Sequence, residues 1–174
     1  AGAMTSMAND LVNVDLGLRS EGLLTFRTSG SGERYAEPGA LAAFHREVEQ
    51  ELLDLPEVAG VAIMDELPRG RNVRSPEFTI DGREPQEGQE FPRTMMLSVN
   101  QAYFATMEIP LSDGRLFESF DREGAGPVVI VSKTFADFHF PDESVVGRRI
   151  TLEDESREIV GVVGDVLHTR VALP

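Results

Sequence analysis

Apolar residues follow two rhythms along this chain, a spacing of three and four near the start and unbroken or alternating runs toward the end. Between Gly22 and Ser29 the run Leu23-Leu24-Thr25-Phe26 is rich in strand formers and closes on the turn-prone Gly30-Ser31-Gly32, which predicts a first strand. After Pro38, the residues Leu41, Phe44, Val48, Leu52 and Leu55 line one stripe of an amphipathic helix that Pro56 stops. His45, Arg46, Glu47, Glu49, Gln50 and Glu51 form its solvated face. The segment from Glu57 to Met64 follows with almost no linker and predicts a second strand, so this stretch reads as half of a split βαβ layer. So small a sheet needs a second half to cover it.

Residues 68–89 are punctuated by Gly and Pro around the alternating run Glu77-Phe78-Thr79-Ile80-Asp81, a pattern that predicts an exposed hairpin arm. Arg93 to Val99 predicts a further strand. Asn100 stands where it can cap a short helix that buries Tyr103, Phe104 and Met107. Val128 to Val131 predicts a buried strand, and Ser132 caps a helix that turns Phe135, Ala136 and either Phe138 or His139 inward. The alternation of residues 149–152 and 158–163 around Glu153-Asp154-Glu155-Ser156 predicts a β-hairpin. The fold class expected is α+β.

Composition narrows the chemistry. A chain of 174 residues builds one domain or two small subdomains. The net charge of −14, with Lys133 the single lysine, argues against nucleic acid or anionic lipid as a partner, because both need clustered cations. The absence of cysteine removes disulfides, thiolate metal sites and cysteine nucleophiles. No apolar run approaches the ~20 residues that cross a bilayer. The opening Ala1-Gly-Ala-Met-Thr-Ser-Met-Ala8 reads as a cloning scar, which implies a piece excised from a larger protein.

Candidate catalytic and metal residues are few. His45, His139 and His168 are the only histidines, and none stands in a nucleophile-elbow context. Asp113, Asp121 and Glu123 come nearest to a cation loop around Gly114 but lack its regular alternation. Arg69, Arg71 and Arg74 suggest an anion site less well than a solvated loop. Gly161 and Gly164 lack the Lys-Ser/Thr that completes a phosphate loop, and no ATPase motif is present. The sequence therefore assigns no catalytic, cofactor or metal residue, and the reading is non-enzymatic.

Three phrases carry a family resemblance. They are Glu108-Ile-Pro-Leu-Ser-Asp-Gly-Arg-Leu-Phe117, then Val128-Val-Ile-Val-Ser-Lys-Thr-Phe135 leading to Phe140-Pro141 and Val146-Gly-Arg-Arg-Ile150, and last Glu158-Ile-Val-Gly-Val-Val-Gly-Asp-Val166. Val14-Asp-Leu-Gly-Leu-Arg-Ser-Glu-Gly-Leu-Leu-Thr25 and Asn100-Gln-Ala-Tyr-Phe-Ala-Thr-Met107 add to them. In this order they resemble the MacB-like periplasmic core domain of ABC transporter permeases of the MacB/FtsX type, the duplicated permeases included. Glu108 stands where the family usually has Gly, and Phe138-His-Phe-Pro141 departs from its aromatic pair before Pro.

The resemblance implies a split βαβ porter-like subdomain with an inserted mostly-β subdomain and short helices. Its divisions here are residues 1–8 (scar), 9–21 (membrane-proximal lead-in), 22–66 (βαβ half) and 67–174 (insert and C-terminal hairpin). It implies a periplasmic domain of an inner-membrane protein that couples cytoplasmic ATP hydrolysis to periplasmic movement. Its partners would be the transmembrane helices, a cytoplasmic ATPase, a periplasmic adaptor or substrate, and a second copy in the intact transporter. No cofactor is implied. Family members continue past Val166 through a second α/β half, so mobility or self-association across residues 22–64 is expected. The alternative reading is a soluble periplasmic ligand-binding or sensor domain, which calls for a deep pocket with convergent polar groups. A hydrolase ranks third.

Overall fold

A computed structural model describes residues 17–19, 21–28, 39–66, 73–83, 90–122 and 124–167. Its architecture is α+β, as the sequence pattern predicts. Everything is organised around β5 (Glu155–Val163), whose last five residues are all buried. On one side β5 pairs antiparallel with β4 (Arg149–Leu152) and then with β2 (Leu111–Gly114), and on the other it pairs parallel with β3 (Val128–Ser132). β1 (Phe78–Ile80) completes the sheet against β4.

The β4–β5 hairpin is tighter than the expected four-residue turn. Glu153 and Asp154 both have positive φ, 52° and 64°, the signature of a two-residue turn whose twist suits antiparallel strands. Two apolar clusters then form because successive strand residues go to opposite faces. Val131 and Val162 join Phe78, Phe140, Ile150, Leu152 and Ile159 in one, whereas Val163 and Ile130 join Tyr103, Phe104, Met107 and Ile109 in the other.

Ser132 caps α3 (Lys133–His139), its hydroxyl accepting from the Phe135 amide at 3.2 Å. Of the two candidates for the inner face, His139 packs inward, edge-on to Phe78 with ring centres 5.1 Å apart, and Phe138 is 77% exposed. Burial, and then the charge of Arg83, hold the His139 imidazole below its usual range. α2 (Tyr103–Thr106) buries Tyr103 and Phe104, with Met107 behind them.

Two expectations need correction. The 68–89 segment, within its described residues 73–83, is not a free arm. Phe78 is 2% exposed, β1 is a strand of the main sheet, and residues 74–77 bridge residues 93–96 at Arg74–Met96 and Glu77–Arg93. Its Gly and Pro residues mark bends, but the partner that buries Phe78 lies some seventy residues later, beyond the reach of local pattern. Asn100, in turn, does not cap α2; Ala102 holds that position without a side-chain bond.

The N-terminal part is more loosely joined. α1 (Ala40–Leu53) forms where the apolar stripe predicts a helix but buries none of its residues, and Leu41 and Leu53 are 42% and 47% exposed. On either side of it, residues 21–28 carry no ladder and residues 57–64 pair only through the Met64–Val99 bridge. A pair of strands with so few neighbours gains little from pairing. Residues 93–99 likewise pair through isolated bridges rather than a continuous ladder.

Candidate functional site

The candidate chemistry-bearing residues that lie among the described ones do not converge. His45 lies half-buried on α1 with its ring 5.7 Å from that of Phe44, His139 lies among phenylalanines, and His168 is outside the described residues. The Asp113 carboxylate accepts from the neighbouring Gly114 amide at 2.8 Å. Asp121 is held by Arg115 in a two-pronged ion pair of 2.6 and 2.9 Å, and it also accepts from the Glu118 amide at 2.8 Å. Those donors, the Arg115 bond above all, keep its carboxyl below the usual carboxylate range. Asp121 is thus a brace for the turn after β2, with Arg115 also lying over the Phe120 ring. Glu123 falls outside the described residues, as do Arg69 and Arg71, while Arg74 pairs with Glu153 at 3.3 Å.

Gly161 and Gly164 are fold residues. A Cβ on Gly161 would lie 2.2 Å from the Arg115 carbonyl oxygen, and one on Gly164 would lie 3.1 Å from the Pro110 ring. A groove of about 660 Å³ opens broadly to solvent between α3 and the end of β2, with Asp137 already bound by Lys133 and Glu143 by Arg83 and Arg148.

What the structure does bring together is a seam. The Arg19 amide donates to the Met107 carbonyl at 2.9 Å, and the Arg19 guanidinium reaches Glu108 at 3.0 Å. Gly17, at φ 70°, lies so close to the Asp165 carbonyl that a Cβ would sit 1.9 Å from it. Three distant parts of the chain therefore meet at the end of α2. Beside them Asn100 works as a clip: its oxygen accepts from the Ile63 amide, and its nitrogen donates to the Val61 carbonyl and the Glu49 carboxylate, each at 2.9 Å. One side chain so ties α1 and residues 61–63 to the segment that leads into α2. Gly60 lies against Thr106, at 2.9 Å from where its Cβ would be to the threonine oxygen.

The sequence singled out Asn100 for the wrong partner, because an N-cap is a local signal and the clip is not. Glu108 was legible in part. It stands where the resemblance leads one to expect Gly, and its φ of 54° is the left-handed conformation that glycine favours. Holding a non-glycine residue there costs roughly 1–2 kcal/mol, whereas its exposed ion pair with Arg19 returns less than ~1 kcal/mol. Strain outweighs the pair, so Glu108→Gly should raise stability by about 0.5–1 kcal/mol in urea unfolding. A loss of stability would show that the ion pair dominates.

The sequence matches the family described as MacB-like periplasmic core domain over residues 2–172. No curated protein matches it. Among solved structures, the periplasmic region of MacB from Actinobacillus actinomycetemcomitans is 16% identical with a TM-score of 0.54, the match covering 71% of this chain and 52% of that one. The extracellular domain of the noncanonic ABC-type transporter YknZ from Gram-positive bacteria is 22% identical with a TM-score of 0.47, the match covering 70% and 59%. The chain thus spans between half and three-fifths of these solved structures. With a family match over nearly its whole length, laid on a sheet and a seam built from the same phrases, the chain belongs to the MacB-like periplasmic core domain family.

Proposed function

We propose that this domain stands outside the cytoplasmic membrane as part of an ABC transporter permease and that its work is mechanical. ATP is hydrolysed by a cytoplasmic subunit or domain, and membrane helices deliver the resulting movement to the lead-in. The observation that carries this reading is the double attachment of Arg19 to Met107 and Glu108 beside the Gly17–Asp165 contact. A displacement of the lead-in would load α2 and the end of β5 directly. The Asn100 clip then passes it to α1, a helix that buries none of its residues.

The test uses the full-length permease with its ATPase, in cells freed of other cysteines. Phe138→Cys, on an exposed position, should react with a membrane-impermeant maleimide without permeabilising the cytoplasmic membrane. Thr106→Cys, at the seam, should react at rates differing by about fivefold or more between nucleotide-free and ATP-trapped states. Labelling of Phe138→Cys only after permeabilisation overturns the location. Equal rates for Thr106→Cys overturn the relay.

A further inference from the structure

Among the described residues, β3 is the outermost strand on its side of the sheet. The Glu158 amide donates to the Pro127 carbonyl, and the register then runs from Val128 opposite Glu158 to Ser132 opposite Val163. In a parallel ladder the backbone groups of alternate residues point to alternate sides. Those of Val129 and Val131 therefore face β5, and the N–H and C=O of Val128 and Ile130 face outward. The irregularity in this ladder places the extra residue, Val160, on β5, so the alternation along β3 is unbroken. Among the described residues none pairs with this outer edge.

Proteins usually blunt such edges with a charge, a proline or a bulge. Val128 to Ser132 carries none of these; Pro127 precedes it and the bulge lies on its partner. In a chain of net charge −14, the whole stretch Gly124-Ala-Gly-Pro-Val-Val-Ile-Val-Ser132 bears no charge. A Val-Val-Ile-Val strand edge that carries no guard, and no partner among the described residues, is a strand-pairing template.

We propose that this edge pairs with β3 of a second copy, antiparallel about a two-fold axis at Ile130. In that register Ile130 faces Ile130 of the other copy and the two exchange N–H to C=O bonds, while Val128 faces Ser132. The segment is self-complementary in this arrangement, the contact is isologous and it closes at two copies. Charge selects this occupant: a strand bearing charges would find no counter-charge along the edge, whereas a second β3 brings none. Repulsion between two −14 chains acts from outside the contact, so association is weak at low salt and tightens as salt screens it. Tethering in a membrane supplies a local concentration in the millimolar range, where a weak pairing is populated. This inference stands apart from the relay reading, since neither requires the other.

Backbone hydrogen exchange on the unaltered chain tests it. At about 1 mM protein and about 1 M salt, the Val128 and Ile130 amides should exchange at least tenfold more slowly than after a hundredfold dilution, with sedimentation showing a dimer. Val128→Pro removes one outward donor and leaves the β5 ladder intact, so it should abolish the dimer while the melting temperature stays within about 2 °C. Exchange independent of concentration overturns the proposal. So does association that weakens with salt, growth into species larger than a dimer, or a Val128→Pro chain that folds and dimerises as before. Should Val128→Pro fail to fold, the exchange result on the unaltered chain decides alone.

Discussion

Truncating Phe78 to alanine is expected to destabilise the domain by about 4 kcal/mol and lower its melting temperature by about 10 °C. The ring is 2% exposed and lies among Ile150, Leu152, Ile159 and Phe140 in the larger apolar cluster. Its centre is 5.3 Å from that of Phe135 and 5.1 Å from His139, contacts that add to the area buried. Removing it leaves a cavity that β1, three residues long and flanked only by isolated bridges beyond its β4 ladder, cannot close without leaving β4. The comparison is Phe138→Ala, on α3 and 77% exposed, for which a change within about 0.5 kcal/mol is expected. Equal effects in the two variants, read by urea unfolding, would return residues 73–83 to the exposed arm that the local pattern predicts.

Alanine at Gly114 is the second large effect, a loss of about 3 kcal/mol or more. Two costs combine. At φ 71° any side chain is strained by roughly 1–2 kcal/mol, and the new Cβ would meet the Val160 carbonyl oxygen at 2.3 Å and Gly161 Cα at 3.0 Å. The obstacle is backbone, so relief requires β2 to move away from β5, at a cost of about 1–3 kcal/mol. Gly114 and Gly161 face each other in the β2–β5 ladder, and a Cβ on Gly161 would meet the Arg115 carbonyl just as closely, at 2.2 Å. Neither position tolerates a side chain. Gly147→Ala separates the two costs: its φ is 86° but nothing lies within 4 Å, so only the strain of about 1 kcal/mol should appear. If thermal unfolding gives the same loss at both glycines, close approach is not what Gly114 serves.

The elements read most accurately from sequence are those whose signals are complete within a dozen residues. The stripe from Leu41 to Leu52 specifies α1, the Ser132 hydroxyl specifies the start of α3, and the run from Ile159 to Val163 specifies the buried half of β5. Family membership was legible for a related reason, since Pro110, Gly114, Gly147 and Gly161 shape turns and close approaches that short phrases record in order. Phe78 and Asn100 were misread because each answers to a partner far away in the chain. Phe78 packs against residues well over fifty positions later, and Asn100 bonds to residues 37 to 51 positions earlier.

The sequence by itself determined the fold class, the family, and a cysteine-free, strongly acidic composition, because composition and local periodicity are properties of the chain alone. Tertiary structure decided where three segments meet at the seam, that His139 rather than Phe138 packs inward, that β1 belongs to the main sheet, and that among the described residues the outer edge of β3 has no partner strand. Each of these depends on which distant strands and turns become neighbours. That pairing is settled by the burial of Ile150, Ile159 and Phe78 together, a collective property no single stretch of sequence contains.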